Sequence, residues 1–467
     1  MVYSSEVNSG PIRPHLRSRF LSPLILVVSS LVLSMVVAGC STPTTDSVTS
    51  PTTSYTKQAE TEIGQAELDA GNAASDAGLA TSDAGLATSD AGPATSDASP
   101  PASDAGQAAS DAGPSSVAGV ELLGHVAFET GTMFENTEVG GLSGITYDPE
   151  KEVYYVLSDD RGSVNPARFY LVDIDLSDGS LEDGDVIFIG VTTLRDADGR
   201  PFSPGSIDPE AIEFATPDQL YISSEGDAGS RPVIDPFVRV FTLSGKETSA
   251  LPVPDKFLPD GAETTGIRGN KAFESLTSTP DKLFLYTATE NALLQDGPLS
   301  SLTESSPSRL LEYDLENQTP GREFIYLVEP IPQGDGVQQE LSGADNGLVD
   351  LQTIDDNGFF LAMERSYIPG VGNTIKIFET TIDGATDVSG LFSLDPGEGS
   401  PVVFDPMTKR MVMDIATLGI QPDNLEAMSF GPLLPDGRML LILVSDNNFN
   451  LSQITQFIAL AVELGPV

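Results

Sequence analysis

Acidic side chains recur beside five short apolar segments of this chain, in a spacing suited to binding a divalent cation. Each segment contains an apolar stretch opened by an acid or serine, a Pro/Asp/Gly turn, a second apolar stretch and a closing acid. The segments are 142–161, 209–227, 273–291, 348–366 and 425–447. The opening residues are Ser143, Glu210, Glu274, Asp350 and Glu426, and the closing residues are Asp159 with Asp160, Glu225, Glu290, Glu364 and Asp446.

Carboxylate oxygens at high density are typical ligands of Ca²⁺ or Mg²⁺, and not of zinc. Like charges at close range raise one another's pKa unless they share a cation. The predicted metal ligands are Asp159, Asp160, Glu210, Glu225, Glu274, Glu290, Asp350, Glu426 and Asp446. The predicted catalytic carboxylates, which would take a proton from water, are Glu274, Glu290 and Glu364. The plainer alternative is that half of these acids are structural and hydrogen-bond neighbouring backbone.

Four basic residues are interleaved with the acids and could bind an anion. They are Arg161, Arg268, Lys271 and Arg365. Arginines could hold a phosphate while its remaining charge meets a metal ion. The alternative is that each base pairs with a neighbouring acid of the ring.

The turns between paired stretches predict β-hairpins that bring the acids together. They are Asp148-Pro149, Pro217-Asp218, Pro280-Asp281, Asp356-Asn357-Gly358 and Pro435-Asp436-Gly437. In an antiparallel hairpin the start of the first strand lies beside the end of the second. All the opening and closing residues should therefore lie at one end of the fold.

Each hairpin is followed by one or two weaker alternating stretches, which predicts an all-β fold, a β-propeller of four-stranded blades. Five repeats are counted, and a sixth degenerate blade is possible within the long loops. Residues 454–463 have no partner downstream and residues 120–128 have none upstream, so pairing between them could close the ring. A β-sandwich or a solenoid is the alternative.

Composition excludes several classes of function. The chain has 69 acids against 23 Lys and Arg, a formal net charge of −46, and a single cysteine. This balance makes nucleic acid and anionic lipid poor partners, and one cysteine rules out an internal disulfide. The string Gly140-Gly141-Leu142-Ser143-Gly144 lies at a predicted hairpin start instead of a strand-to-helix turn, which disfavours a serine nucleophile.

The first forty residues are typical of an export signal. Arg13, Arg17 and Arg19 precede an apolar run over 21–37, and residues 37–40 resemble the lipobox of bacterial lipoproteins. That resemblance implies a signal peptide over 1–40, acylation at Cys40, and anchoring to a membrane of the cell envelope on its extracytoplasmic side. An uncleaved single-pass anchor is the alternative.

The composition of residues 41–118 predicts a disordered linker. A Ser-Asp pair recurs every seven residues between 75 and 111, with Gly or Pro in nearly every repeat and few large apolar side chains. Such a stretch cannot bury a core and acts as a flexible tether with a mean reach of about 50 Å. The folded domain is expected over 119–467.

Several separated motifs within 119–467 resemble one family. They are GLSGITYD, YVLSDDRG, DPEAIEF, NKAFESLT, FFLAMERS and DNLEAMSFGP. They are similar to the phytase-like family, described as having the esterase-like activity of phytase. The resemblance implies a β-propeller and the hydrolysis of phosphoesters such as phytate. Alkaline phytases of the propeller type use clustered Ca²⁺ ions to bind phosphate and activate water.

The sequence therefore leaves two alternative functions of different classes. The first is an envelope-anchored, Ca²⁺-dependent phosphoric ester hydrolase with a small-molecule phosphoester or other anionic ligand. The second is a non-catalytic propeller that binds a ligand or protein and whose metal only stiffens the ring. In either case the protein is expected to be a monomer.

Overall fold

The structure is a computed structural model that describes residues 115–216, 218–332, 342–395 and 402–466. The predicted signal peptide and nearly all of the predicted linker lie outside the described residues. The first strand begins at Ser115, before the predicted domain boundary at residue 119. No helix of the described residues is long and apolar enough to span a bilayer.

The described residues form 22 β-strands and two short 3₁₀ helices. The first eleven strands are β1 Ser115–Glu129, β2 Met133–Phe134, β3 Thr137–Glu138, β4 Leu142–Asp148, β5 Val153–Ser158, β6 Arg168–Ile174, β7 Val186–Thr193, β8 Pro209–Thr216, β9 Gln219–Ser224, β10 Phe237–Thr242 and β11 Glu247–Leu251. The others are β12 Thr277–Ser278, β13 Phe284–Ala288, β14 Ser306–Asp314, β15 Thr319–Val328, β16 Asp345–Thr353, β17 Phe359–Ile368, β18 Gly372–Thr381, β19 Thr408–Asp414, β20 Asn424–Leu433, β21 Met439–Asp446 and β22 Ile454–Pro466. The helices are Asp255–Phe257 and Ile415–Leu418.

Twenty of these strands build five antiparallel four-stranded sheets, which are the blades of a propeller, and β2 pairs with β3 in a separate two-stranded sheet. Blades 1 to 4 are β4–β7, β8–β11, β12–β15 and β16–β19, and blade 5 consists of β20, β21, β22 and β1. The prediction of a four-stranded propeller is confirmed. The described residues form five such blades and no sixth one.

The N-terminal strand closes the ring. Strand β1 runs antiparallel to β22, with Val120 opposite Val462 and Phe128 opposite Thr455. It supplies the outermost strand of blade 5, so both ends of the domain are held in one sheet. The predicted pairing of these two segments is confirmed, and it covers an edge of β22 that would otherwise be exposed.

The first strand of each blade lines the central axis. Strands β4, β8, β12, β16 and β20 each contact the first strand of the next blade, and β20 contacts β4. The approach is close, because a Cβ atom on Gly144 of β4 would lie 3.0 Å from the Cα of Ala211 in β8.

The second strand of each blade is apolar because neighbouring blades cover it on both faces. In blade 1, Tyr155 is buried and its ring lies 5.7 Å from Phe169 of its own sheet. The same ring lies 6.0 Å from Phe214 of blade 2. A strand buried on both faces shows a continuous apolar run instead of strict alternation.

Candidate metal centre at the channel mouth

A β-bulge lies near the start of the first strand in four of the five blades. The pairing register shifts at Ser143, at Glu210, at Val349 and at Glu426 in blades 1, 2, 4 and 5. In blade 3 the corresponding residue is Glu274, whose backbone N–H bonds the carbonyl of Ala288 just before β12. A bulge inserts an extra residue and re-aims its side chain.

The second strands end in the same register. The residues paired with Leu142, Pro209, Phe273, Leu348 and Leu425 are Ser158, Ser224, Thr289, Glu364 and Ser445. The residue that follows each of these partners therefore completes the set at the mouth. We call these nine positions the mouth ring: Ser143, Asp159, Glu210, Glu225, Glu274, Glu290, Arg365, Glu426 and Asp446.

Blade 4 departs from the sequence prediction by one residue in both strands. Arg365 lies in the mouth ring, Val349 packs in the core with Leu425, and the predicted positions of Asp350 and Glu364 in the ring are wrong. The Asp350 carboxylate accepts hydrogen bonds from the N–H groups of Leu351 and Met428, which joins blade 4 to blade 5. Burial raises the pKa of Asp350 well above its ordinary value.

Glu364 lies inside the sheet, where its carboxylate is fully engaged. It accepts hydrogen bonds from the Tyr326 hydroxyl at 2.8 Å, Lys409 Nζ at 2.7 Å and Asn346 Nδ2 at 2.9 Å. It also accepts the N–H of Glu329. A carboxylate with these partners is placed to hold the blade together and not to take a proton from water at the mouth.

Asp160 and Arg268 are also engaged in local structure. Asp160 accepts four backbone N–H groups of the loop 162–165 and pairs with Arg168 at 2.8 Å. Burial alone would raise the pKa of Asp160, but these hydrogen bonds and the guanidinium lower it. Arg268 donates to the carbonyls of Ala292 and Gly297 at 3.0 and 2.7 Å.

Five buried carboxylates of blades 2 and 3 form what we call the acid cluster: Asp208, Glu210, Glu225, Glu274 and Glu290. Asp208, Glu210 and Glu225 each offer an oxygen within 4.8 Å of the others, and so do Glu225, Glu274 and Glu290. Glu225 is shared by both groups. Asp208 lies two residues before Glu210 and was not predicted from the sequence. The only sequence signal for it is the string Asp208-Pro209-Glu210, which places a second acid beside the predicted ligand.

Burial raises the pKa of every acid-cluster residue whose shift is resolved. The pKa of Glu225 rises to about 7 through burial, with a further contribution from Asp208. That of Asp208 rises to about 6 through burial, although Arg161 opposes the change. Glu210 and Glu274 lie well above their ordinary value, through burial and then through neighbouring carboxylates. Protons are therefore held in the acid cluster near neutral pH.

The acid cluster fits a hard divalent cation. The buried carboxylate of Asp208 forms an ion pair with the Arg161 guanidinium. The close neighbours of this carboxylate are the Arg161 guanidinium and the carboxyl of Glu210. Buried carboxylates that outnumber their cationic partners are expensive unless a further cation or a proton satisfies them, and an all-carboxylate donor set suits Ca²⁺ or Mg²⁺.

The opposite side of the mouth is neutralised by side chains of the chain itself. Lys271 Nζ lies 2.7 Å from Glu290 and 3.1 Å from Asp345. Arg365 lies 3.1 Å from Glu426 and 3.8 Å from Glu290. The pairing of bases with ring acids is thus present, and the anion-binding role of Arg161, Lys271 and Arg365 stays a prediction.

A second acidic group lies between blades 5 and 1. Burial raises the pKa of Asp159 well above its ordinary value, with contributions from Asp446 and Glu426. Burial likewise raises the pKa of Asp446 to about 8. Gly141 makes room for Asp159, since it has a φ of 63° and a Cβ atom there would overlap Asp159 Oδ1. The glycines before Ser143 thus serve the mouth ring and not a nucleophile.

Comparison with known proteins adds a family match to this geometry. Residues 137–449 match the profile of the phytase-like family, described as "Esterase-like activity of phytase". No significant match was found among curated proteins.

Solved structures with detectable similarity include several proteins at low identity. The periplasmic gluconolactonase of Pseudomonas aeruginosa is 12% identical, with 70% of this chain and 89% of that chain covered and a TM-score of 0.29. The endo-arabinase of Bacteroides thetaiotaomicron is 10% identical, with 70% and 94% covered and a TM-score of 0.37. The Dos1 propeller is 9% identical, with 69% of each chain covered and a TM-score of 0.29.

Proposed function

The chain belongs to the phytase-like family, and from this premise we propose that it is a metal-dependent phosphoric ester hydrolase acting at the channel mouth. The observation that carries the proposal is the acid cluster beside three cationic side chains. Phosphoryl transfer needs positive charge around the phosphate oxygens and a group that can exchange a proton.

We assign the cation, which we propose to be Ca²⁺, to Asp208, Glu210 and Glu225, with Glu274 and Glu290 on the far side of Glu225. When bound, it would supply Lewis-acid stabilisation of phosphoryl charge and lower the pKa of water. Binding of the substrate anion and proton transfer are assigned to side chains of the protein.

Arg161, Lys271 and Arg365 are assigned to holding the substrate anion. Their side chains are 40%, 16% and 14% exposed, so each is partly accessible from the mouth. The guanidinium groups of Arg161 and Arg365 carry the paired donors that phosphate oxygens accept.

Glu274 is assigned to holding the exchangeable proton. Burial and the charges of Glu225 and Glu290 raise its pKa well above the ordinary value, so the carboxyl can stay protonated near neutral pH. A protonated carboxyl at the mouth can give its proton to a departing alkoxide. Glu290 pairs with Lys271 and would orient the Lys271 ammonium group.

We predict that the full chain hydrolyses p-nitrophenyl phosphate in the presence of Ca²⁺ and that chelation abolishes turnover. Glu225→Gln should lower Ca²⁺-dependent turnover at least about 100-fold, because even residues outside the ligand shell typically contribute 10–100-fold. Phytate is the second substrate in the assay. Inorganic phosphate release, measured across Ca²⁺ concentrations, gives the result.

The matched control is Glu316→Gln, which makes the same change at an exposed turn and should leave turnover unaltered. Circular dichroism of both variants establishes that they are folded. Turnover that persists at full rate in Glu225→Gln, or no turnover of either phosphoester with Ca²⁺ present, contradicts the proposal.

A non-catalytic propeller with a structural cation is the second candidate. It is favoured by the position of the acid cluster, which spans blades 2 and 3, where Glu225 Oε1 also accepts the N–H of Ala272 at 2.7 Å. A bound ion would tie the two blades together. Ca²⁺-dependent thermal stabilisation without hydrolysis of either phosphoester supports this candidate.

We further propose that Cys40 is acylated and anchors the domain to an envelope membrane. Support comes from the sequence alone, through the apolar run over 21–37 and the cysteine that follows it. In a bacterial host, the wild-type chain should incorporate a radiolabelled fatty acid and sediment with membranes, and Cys40→Ala should do neither. Ser41→Ala is the matched control, and equal labelling of Cys40→Ala contradicts acylation at this residue.

A further inference from the structure

A polar groove adjoins the mouth on the side of blades 4 and 5. It has a volume of about 540 Å³. Its walls share amide side chains, and we call it the amide groove after them: Asn270, Asn373, Asn424, Asn448, Asn450 and Gln453. Lys271, Arg365 and Glu426 border both the groove and the mouth, so one ligand can occupy the two together.

The amide groove offers paired donors and acceptors, although Asn270, Asn424 and Gln453 each bond a neighbouring side chain. The side chains of Asn373 and Asn448 make no hydrogen bond to other described residues. Asn450 Oδ1 accepts from Ser452, which leaves the Asn450 amide N–H groups free to donate. Tyr367, 40% exposed, adds an aromatic ring to the wall. Hydroxyl groups of a ligand both donate and accept, so they match such amides, and an aromatic face suits C–H groups.

The charges of the groove oppose a ligand with many negative charges. Its two cations, Lys271 and Arg365, already contact Glu290, Asp345 and Glu426. Asp423 adds another carboxylate to the wall, and the acid cluster lies beyond. A polyphosphorylated ligand would meet more carboxylates than cations there, and like charges in a partly desolvated site are strongly unfavourable.

We propose that the amide groove binds a neutral polyhydroxylated group, a sugar or a polyol, as the organic part of the substrate. The inference rests on the proposed hydrolysis at the adjacent mouth and narrows the substrate to a lightly charged ester of such a group. The groove discriminates against polyphosphorylated polyols.

The test is ligand binding to the full chain at matched free Ca²⁺, by saturation-transfer NMR and titration calorimetry. The probes are maltotriose and cellotriose for sugars, myo-inositol for a polyol, and inositol hexakisphosphate for the highly charged class. At least one neutral probe should bind saturably, with little dependence on salt, and more tightly than the hexakisphosphate. Asn448→Ala and Tyr367→Ala should each weaken its binding about fivefold, the value of one lost hydrogen bond or ring contact.

Asn317→Ala, at an exposed turn of blade 3, is the matched control and should bind like the wild type. Tighter binding of the hexakisphosphate, no binding of any neutral probe, or an equal loss in Asn317→Ala overturns the inference. Phosphatase assays are run separately. Hydrolysis without binding of a neutral probe contradicts the proposed role of the groove but not the proposed activity. Binding of a neutral probe without hydrolysis contradicts the proposed activity but not the role of the groove.

Discussion

Replacing Arg365 with Met should lower the free energy of unfolding by about 3 kcal/mol, because removing one partner of a buried ion pair leaves an uncompensated charge. The Arg365 side chain is 14% exposed and lies 3.1 Å from Glu426 and 3.8 Å from Glu290. Met keeps most of the side-chain length, so the loss reports chiefly on charge. Urea unfolding followed by circular dichroism measures it.

Arg200→Met provides the control for Arg365→Met. Arg200 is 75% exposed and its partner Asp198 is 68% exposed, with 3.2 Å between them. An exposed pair contributes between about 0 and 1 kcal/mol, so this variant should be close to wild type. A second change, Glu426→Gln in the Arg365→Met background, should recover part of the loss. Equal stability of the two arginine variants would show that Arg365 does not neutralise the mouth.

The sequence showed Arg365 only as a basic residue next to Glu364 and did not indicate that it lies in the mouth ring. In blades 1, 2, 3 and 5 the ring positions could be predicted, because each strand has an acid or serine there. In blade 4 Asp350 stands one position after the bulge residue Val349 and Glu364 one position before Arg365, so neither acid lies in the mouth ring. A register shift of one residue moves every side chain of a strand to the opposite face. The β-bulge that fixes this register is a backbone feature, and the sequence of blade 4 carries no signature of it.

The ring closure was predictable for a different reason. The unpaired apolar stretches at the two ends of the domain had no other partner, so their pairing followed from the count of strands. Asp208 was missed because it precedes β8 and belongs to no alternating pattern. Its neighbours, Glu210 and Arg161, come together through the fold of the loops and not through spacing along the chain. The acylation of Cys40 stays a prediction.

Without a divalent cation, the stability of the domain should fall as the pH rises from about 5 to about 8.5. The folded-state pKa of Glu225 is about 7 against an ordinary 4.5, and that of Asp446 is about 8 against 3.8, both through burial. Between the ordinary and the raised value the folded state binds more protons than the unfolded state. Stability therefore decreases through that window and levels off above the raised pKa, by an amount on the order of 3 kcal/mol for Glu225 alone.

Ca²⁺ should reverse this trend, since a cation replaces the protons of Asp208, Glu210 and Glu225 and binds the ionised form of these carboxylates. The rise in melting temperature between chelator and saturating Ca²⁺ should be small near pH 5 and grow toward pH 8, where a ligand at 100 times its Kd adds about 2.7 kcal/mol. Thermal unfolding by circular dichroism across this range measures both curves. Glu225→Gln should make the metal-free curve less steep and lose most of the Ca²⁺ effect, whereas Glu316→Gln should retain both. A Ca²⁺ effect that is equal at pH 5 and 8, or metal-free stability that increases with pH, would show that the carboxylates of the mouth are not coupled to a cation site.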